Sequence, residues 1–343
     1  MIRKVFSYFV TIFLVTVLFS CKKDKNPSIP KVKDIYIGFQ EKVGSKYTAK
    51  IWKNGAITSL TDGLLDAIVN DVFVVGNDVY AVGSEGAGSN VKAMLWKNGV
   101  AFPLTDGSKF ASANAVVVVG SDVYIAGQES NGVQWVAKIW KNGIATNLTD
   151  GTKNAEANDI VVVETNVYVA GLEYVGSKSV AKVWKNGFAT QLTNGLSEAG
   201  ANCIFVNGAD IIVGGYEWEV NGNKSIAKYW KNGVSTSLTN ASFGHGTVND
   251  LVLVNSDLFV CGDEDNSNSN AKYWKNVSAI NLLSGNGGGA AAISVIGNDV
   301  YVVGYEYNGS KAVAKYWKNG VATPIVTDIS LNTFAWALFI TTE

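Results

Sequence analysis

Arginine and histidine are almost missing from this chain. Arg3 is the only arginine among 343 residues, and His245 is the only histidine. Arginine is the usual residue for bidentate recognition of carboxylates and phosphates, so a sialidase-like, sulfatase-like or nucleotide-binding site is hard to build. A Ser-His-Asp triad or a transition-metal site is unexpected as well, because the single imidazole has neither a second histidine nor a cysteine partner.

The chain also has no excess of charge of either sign, and cysteine and proline are scarce. The 28 basic and 29 acidic residues nearly cancel, so the chain has no basic footprint for nucleic acid. Cys203 and Cys261 lie inside strand-like stretches of different repeats, where we expect them to be buried thiols that pack as small apolar groups. A disulfide between them stays open. Only 4 prolines stand against 36 glycines, which suits many tight turns between short strands.

The N-terminal segment has the pattern of a secretory leader. Arg3 and Lys4 precede an apolar run over residues 5–19, as in the n-region and h-region of a signal peptide. The run ends in Leu18-Phe19-Ser20-Cys21, which resembles a bacterial lipobox. A lipoprotein signal peptide is therefore predicted over residues 1–20, with an ordinary signal peptide or an anchoring helix as the alternative.

The lipobox resemblance implies that Cys21 becomes the lipid-modified N-terminus. The stretch that follows is polar and contains Pro27 and Pro30, so residues 21–33 are predicted to form a flexible tether. No aspartate follows Cys21 directly, which favours the outer membrane over retention at the inner membrane. The Lys/Asp cluster after Cys21 also resembles surface-export signals, so the cell surface is a second expected location. Contact with the membrane is expected through the lipid only.

The dominant feature of the sequence is the tripeptide Trp-Lys-Asn, which occurs seven times. Its copies lie 43 to 46 residues apart, and six of them continue into glycine. A fixed period of this length is typical of a repeat architecture in which each repeat is one supersecondary unit. The copies begin at Trp52, Trp96, Trp140, Trp184, Trp230, Trp274 and Trp317.

Each repeat contains four strand-like stretches. In the repeat over residues 157–193, Glu164-Thr165 is a two-residue turn. Asn186-Gly187 is the strongest short hairpin signal, that of a type I′ turn. Four strands of about five residues within a period of this length predict one blade of a propeller.

The two ends of the repeat region complement each other. The chain enters the pattern at Asp34, in a second strand, and leaves it in the stretch 332–340, in a first strand. The last strand is therefore expected to complete the first blade in a 3+1 clasp, which removes the exposed sheet edge of an open array. The predicted fold is all-β, a seven-bladed β-propeller of four-stranded blades over residues 34–343.

Two known repeat types resemble these blades. Residues 167–171 (Val-Tyr-Val-Ala-Gly) and 300–304 are similar to a kelch strand, although Gly-x-Glu replaces the kelch double glycine everywhere except Gly214-Gly215. The bacterial extracellular HAF repeat is closer. Residues 95–99 (Leu-Trp-Lys-Asn-Gly) and 113–116 (Ala-Asn-Ala-Val) follow its cadence, and the likeness covers all seven repeats. It implies an extracellular propeller and carries no assigned chemistry.

The connections between strands divide the two faces of the predicted ring. Tight turns join strands one and two, and strands three and four, on one face. Longer and more variable connections lie on the other, as at residues 217–223, 241–246 and 263–268. Variable loops on a rigid scaffold are the usual place for binding, so we expect the site on that face, near the central axis.

Two polar positions recur toward the axial end of that face, and they predict a polar pocket for a sugar, a peptide or a hard cation such as calcium. The first is the glutamate of Gly-x-Glu, which gives Glu85, Glu129, Glu173, Glu217, Glu264 and Glu306, with Gln40 in blade one. The second is an asparagine that begins the innermost strand, which gives Asn70, Asn114, Asn158, Asn202, Asn249 and Asn332, with Ala291 breaking the series. The alternative is scaffolding, in which each asparagine satisfies backbone groups and each glutamate pairs with the lysine of Ala-Lys-x-Trp.

A few residues break the period. Trp135 and Trp218 lie in or beside loops of the variable face, where they would stack on sugars or pack the loops. His245 is expected to be exposed. The acidic run 263–265 is interpreted as a solvated loop tip, with a cation site or an acid/base pair as the alternative. Trp336 belongs to the closing strand and is expected in the core.

These features predict a lipid-anchored, extracytoplasmic binding module for a glycan or a protein ligand. A monomer without a cofactor is expected, with calcium left open. A polysaccharide lyase or glycosidase that uses carboxylates at the axial mouth is the alternative, as is a purely structural surface protein. No catalytic or metal-ligating residue is assigned. The candidate ligand-binding residues are Glu129, Glu173, Glu217, Glu264, Glu306, Asn114, Asn158, Trp135, Trp218 and His245.

Overall fold

The computed structural model describes residues 30–343, except residues 221, 241, 243, 266–268, 284–286 and 327. The predicted signal peptide, the lipidation site at Cys21 and most of the tether lie outside the described residues and stay predictions. None of the described residues belongs to a helix long and apolar enough to cross a membrane.

The described chain is built from 28 β-strands, nearly all of them separated by short turns. Their bounds are β1 Val32–Val43, β2 Lys46–Lys53, β3 Ala56–Ser59, β4 Asp66–Val75, β5 Asp78–Ala87, β6 Asn90–Lys97, β7 Val100–Pro103, β8 Ala111–Val119, β9 Asp122–Ser130, β10 Trp135–Lys141, β11 Ile144–Asn147, β12 Ala155–Val163, β13 Asn166–Val175, β14 Lys178–Lys185, β15 Phe188–Gln191, β16 Ala199–Asn207, β17 Asp210–Trp218, β18 Ser225–Lys231, β19 Val234–Ser237, β20 Gly246–Val254, β21 Asp257–Asp265, β22 Ser269–Lys275, β23 Ser278–Asn281, β24 Gly288–Ile296, β25 Asp299–Asn308, β26 Lys311–Lys318, β27 Val321–Pro324 and β28 Thr333–Thr342.

The strands form seven antiparallel sheets of four, which confirms the predicted seven-bladed β-propeller. Six sheets take four consecutive strands each, from β4–β7 (blade two) to β24–β27 (blade seven). Blade one has the order β28-β1-β2-β3, so the C-terminal strand pairs with the N-terminal three in the predicted clasp. Through this pairing, every blade of the ring has an innermost strand.

Each Trp-Lys-Asn copy fulfils three structural roles, which blade two illustrates. Asn98 takes a φ of +51° in the hairpin turn, and its Oδ1 accepts the N–H of Val79 at 2.8 Å. The preceding lysine, Lys97, pairs with Asp78 at 3.0 Å and lies 5.0 Å from the ring centroid of Tyr80. Trp96 points the other way and is buried. The repeated motif therefore builds the hairpin and the core.

The core lies between neighbouring blades. Trp140 of blade three packs in one cluster with Tyr80 and Val82 of blade two, and six of the seven repeated tryptophans are at most 1% exposed. Cys203 and Cys261 are buried and free, as predicted. Blade packing through apolar contacts of this kind makes the ring one continuous core.

Antiparallel pairing gives the ring two distinct faces. The tight turns between strands one and two, such as Gly76-Asn77, and between strands three and four share the turn face. The other connections share the loop face. The Glu164-Thr165 turn and the Asn186-Gly187 hairpin have the predicted lengths, with φ of +51° and +84° in the latter.

Candidate functional site

A β-bulge interrupts the innermost strand of every blade where it lines the central channel. In blade four, Ala157 pairs with Gly171 and Asp159 with Ala170, so Asn158 is the extra, unpaired residue. A bulge turns a side chain away from the regular alternation, and the simple two-residue turn could not predict it. The bulged residues are Asn70, Asn114, Asn158, Asn202, Asn249, Ala291 and Trp336.

The bulged asparagines link each blade to the next. Asn114 donates its Nδ2–H to the carbonyl of Ala157 at 2.9 Å, and Asn158 donates to Ala201 at 3.0 Å. Asn70, Asn202 and Asn249 do the same to their neighbours. This is the scaffolding arrangement. The prediction that Asn332 is the equivalent asparagine in blade one was wrong, because the bulge there falls on Trp336.

An aspartate follows the bulge in every second blade and forms a second hydrogen bond between neighbouring blades. The residues after the bulge are Asp71, Ala115, Asp159, Cys203, Asp250, Ala292 and Ala337. Each aspartate accepts its own following N–H and one from the next blade, as in Val72 and Val116 to Asp71 at 2.7 and 2.8 Å. Burial outweighs these bonds and raises the pKa of Asp71 to about 8, of Asp250 to about 7 and of Asp159 to about 6.

The raised pKa values of the axial aspartates predict that the free energy of unfolding falls as pH rises. Their pKa values in the unfolded chain lie near 3.8, so between pH 4 and 8 the folded protein keeps protons that the unfolded chain has lost. The stabilisation is complete below pH 4 and is lost as pH rises through the folded pKa values. We expect the free energy of unfolding to fall by about 4 kcal/mol between pH 6 and pH 8, measured by urea denaturation.

Matched variants separate this effect from general charge effects. Asp71→Asn removes the group with the highest pKa of the three and should flatten the fall. Asp78→Asn is the control, because Asp78 lies at the surface beside Lys97 and Asn98, which lower its pKa. It should leave the fall unchanged. A wild-type profile that is level or rises from pH 6 to pH 8 would contradict the expectation.

The repeated glutamates lie at the loop-face end of the second strands, and all except Glu85 pair with a lysine of the third strand, because Met94 takes the place of that lysine in blade two. Glu129 contacts Lys138 at 2.5 Å and Glu217 contacts Lys228 at 2.6 Å. Glu173, Glu264 and Glu306 pair in the same way with Lys182, Lys272 and Lys315. In blade one the pair is Glu41 and Lys50, so Gln40 was the wrong counterpart. Ligand binding by these glutamates stays a prediction.

The repeat fails where blade seven meets blade one, and a cavity opens there. Ala291 and Trp336 replace the asparagine at the bulge, which ends the chain of inter-blade bonds. An axial mouth of about 460 Å³ is lined by Ile68, Asn70, Asn249, Asp263, Ala291 and Trp336. A narrower cavity of about 150 Å³ continues down the channel past the bulges. Trp336 borders both and is half-buried, so its expected place in the core was wrong.

Asp263 is the acidic group at this mouth. It is half-buried in β21, and it accepts the N–H of Ala290 at 2.9 Å and the Nδ2–H of Asn249 at 3.0 Å. Burial raises its pKa to about 6, although both bonds oppose the shift. The solvated loop tip expected at 263–265 was therefore wrong, because Asp263 and Glu264 belong to a packed strand.

Aromatic rings pack around Trp336. Phe334 lies stacked on it, with centroids 5.9 Å apart and planes 9° from parallel. Tyr305 approaches Phe334 edge-on at 4.9 Å and Trp336 at 6.0 Å, and Tyr307 lies 5.6 Å from Tyr305. The mouth thus has an aromatic wall on one side and the polar groups of Asn249 and Asp263 among the other lining residues.

The other period-breaking residues lie farther out. Trp135 is 40% exposed and stacks on Phe110 at 5.9 Å. Trp218 contacts His245 edge-on at 5.2 Å, and His245 Nδ1 accepts the N–H of Ser225 at 3.3 Å. His245 is exposed, as predicted, at the boundary of blades five and six. None of the three borders the axial mouth.

Two observations bear on other kinds of site. Among the described residues, no three or more His, Cys, Asp or Glu side chains are grouped so that they could hold a metal ion, and calcium binding stays a prediction. A cavity of about 340 Å³ opens on the turn face between blades six and seven, lined by turn residues such as Asn255, Asn298 and Asn319. These residues have counterparts in other blades, so this cleft is a product of the repeat.

Sequence reasoning predicted a site near the axis but concentrated on the polar residues that repeat, and it missed the non-repeated residues that line the mouth. The available signal was the pair of departures at one repeat position, Ala291 and Trp336, which the bulge register brings to the axis. The residue before each repeated glutamate is a second signal, since five different residue types occupy this position in the seven blades: Gln40, Ser84, Gln128, Leu172, Tyr216, Asp263 and Tyr305.

Comparisons with known proteins identify the fold alone. No protein-family model and no curated protein matches the chain, so the likeness to HAF and kelch repeats stays a resemblance. Among solved structures, the chain is similar to a puromycin-hydrolyzing peptidase of Mycobacterium tuberculosis, with a TM-score of 0.57 and 11% sequence identity. The match covers 88% of this chain and 54% of the peptidase, so the chain spans about half the length of that protein.

Proposed function

We propose that this protein is a binding module that holds a carbohydrate at the axial mouth of its loop face. The observation that carries the proposal is the coincidence of three non-repeated residues, Trp336, Ala291 and Asp263, at one cavity of about 460 Å³. Cavities of about 300–1,000 Å³ with an apolar wall and a few convergent polar groups are typical of small-molecule sites.

The chemistry of the lining suits a sugar. One face of a pyranose ring presents C–H groups, which pack against an aromatic ring, while hydroxyl groups project from its edge. Trp336, backed by Phe334, offers such a surface. The carboxylate of Asp263 and the amides of Asn70 and Asn249 supply hydrogen-bonding groups for the hydroxyls.

The charge at the mouth favours a neutral or amino sugar. Asp263 lines the mouth, and Asp71, Asp159 and Asp250 line the channel below it. Among the described residues, no lysine borders either cavity. A uronic acid or a sulfated sugar would bring a negative charge beside the carboxylate of Asp263 in a poorly solvated mouth, which is unfavourable.

Binding is better supported than catalysis. Of the repeated glutamates, which would supply an acid and a base, all except Glu85 are engaged by lysines. Glycosidases need one carboxyl free to donate a proton and a second on the opposite side of the scissile bond. At the mouth, Asp263 is already held by Ala290 and Asn249.

The proposal is tested with the full chain on an array of neutral, amino and acidic oligosaccharides. We expect retention on a neutral or amino series and not on galacturonate oligomers. Trp336→Ala should then weaken binding of the retained sugar about tenfold or more, which corresponds to about 1.4 kcal/mol, measured by titration calorimetry. Trp336→Phe should keep most of the affinity, because it keeps an aromatic surface.

Trp218→Ala is the matched control, since Trp218 is also a non-repeated tryptophan on the loop face but contacts His245 and lies away from the mouth. It should bind as the wild type does. Retention of no glycan, or wild-type affinity in a folded Trp336→Ala, would overturn the proposal. Binding to a protein without any glycan would replace it with the second predicted ligand class.

A further inference from the structure

The axial mouth continues outward into a second cavity on the loop face. This cavity has a volume of about 310 Å³ and lies over the junction of blades one and two, bordered by Tyr47, Asp66, Ser84 and Phe110. Ile68 borders both the axial mouth and this cavity. The two cavities are thus neighbouring parts of one groove that runs from the axis toward the rim.

Aromatic rings accompany the groove along its length. At the axis, Trp336 stacks on Phe334, and Phe334 lies 6.2 Å from Tyr47, which borders the outer cavity. At the far side, Phe110 borders the same cavity and is stacked on Trp135. None of these rings is one of the seven repeated tryptophans, so the groove is not a feature that the repeat imposes on every blade.

The charges beside the outer cavity are largely compensated. Asp66 pairs with Lys46 at 2.9 Å and accepts the N–H of Tyr47 at 3.0 Å. Lys42 lies with its Nζ 5.7 Å from the Tyr47 ring. The lining also contains the small residues Ser84 and Gly88, and a Cβ added at Gly88 would meet no atom within 4 Å. A neutral, flat ligand fits this lining better than a charged one.

We propose that the groove binds successive residues of one oligosaccharide chain, with one sugar at the axial mouth against Trp336 and a following sugar over Ile68, between Tyr47 and Phe110. The ligand is then a polymer of neutral sugars rather than a single sugar or a chain end alone. This inference rests on the proposed function, because it assigns a second subsite to the same carbohydrate site.

The test is the dependence of affinity on chain length. Titration of the full chain with β-1,4-linked glucose oligomers of two to six residues, or with the corresponding oligomers of whichever neutral or amino series the array retains, should show affinity rising about tenfold from dimer to tetramer and then levelling. Tyr47→Ala and Phe110→Ala should each lower tetramer affinity toward that of the dimer and leave the dimer unchanged.

Two variants distinguish the possible failures. Trp336→Ala should weaken the dimer and the tetramer alike, and Phe188→Ala, on the exposed outer strand of blade four, should weaken neither. Equal affinity for dimer and tetramer in the wild type, or tetramer binding unaffected in both folded outer-cavity variants, would overturn the second subsite and leave the proposed function standing. Wild-type binding by Trp336→Ala would instead remove the proposed function itself.

Discussion

Deletion of residues 333–343 should leave a chain without a cooperative unfolding transition. These residues form β28, which supplies the innermost strand of blade one and pairs with β1 from Thr333 to Thr342. Ala335 and Ala337 are at most 2% exposed and belong to the two clusters that flank blade one. Their loss uncovers an unpaired strand edge at β1 and opens the interfaces on both sides.

The size of the effect follows from the marginal stability of folded domains. A domain retains only about 5–15 kcal/mol of net stability, and removing one of seven innermost strands takes away both its pairing and its share of two apolar clusters. We therefore expect loss of the thermal transition in circular dichroism and aggregation in size-exclusion chromatography. Deletion of a peripheral strand, by contrast, would leave the channel wall intact.

A circular permutant is the matched control. Glu343 donates its N–H to the carbonyl of Lys31 at 3.0 Å, so the two ends of the ring are adjacent. A chain that begins at Thr333, continues through a short linker into Lys31 and ends at Asn332 contains the same residues as the reference chain 31–343. It should regain the thermal transition. A deletion chain that melts like the reference would contradict the closing role of β28.

Trp140→Ala should lower the free energy of unfolding by about 3–5 kcal/mol. The Trp140 side chain is fully buried between blades two and three, among Tyr80, Val82 and Val116. Truncation leaves a cavity that rigid sheets on both sides cannot fill. Urea denaturation measures the loss as a fall in the midpoint at an unchanged slope.

Two comparisons show that the cost comes from packing. Phe188→Ala removes a ring that is 81% exposed and should change stability by no more than about 0.5 kcal/mol. Trp140→Phe should cost less than Trp140→Ala, because the indole Nε1–H is buried without an acceptor and its removal loses no hydrogen bond. A loss below about 1 kcal/mol for Trp140→Ala would contradict the assignment of this tryptophan to the core.

The repeat was sufficient to predict the architecture. Trp-Lys-Asn marks a buried side chain and a hairpin residue in seven equivalent places and a surface ion pair in six of them, so the pattern of one blade predicted that of the others. The offset between the ends of the pattern predicted the clasp of β28 with β1. Local signals of this kind are readable because turn geometry and strand alternation depend on neighbouring residues only.

The candidate site was predicted in part. The sequence pointed to the loop face and the axis, and the glutamates and asparagines were placed near that end of the blades. The pairing of the glutamates with lysines was only one of two alternatives. Strand register brings the third-strand lysines into contact with the glutamates, and the sequence alone does not give that register. Trp336 was misassigned because the bulge shifts the innermost strand by one residue, and a shift of one reverses the direction of a side chain. Asn332 was misassigned because it lies four residues before the bulge, which in blade one carries no asparagine.

The amino-acid sequence alone determined the number of blades, the strand order within each blade, the closure of the ring and the hairpin turns, because these follow from period and local residue choice. Only the tertiary structure decided which side chains meet at the axis. Asp263, Ala291 and Trp336 come from strands of blades six, seven and one. They share a cavity only because ring closure places the last strand, β28, beside blade seven. Contacts between residues distant in sequence depend on register, bulges and closure, which no local pattern encodes.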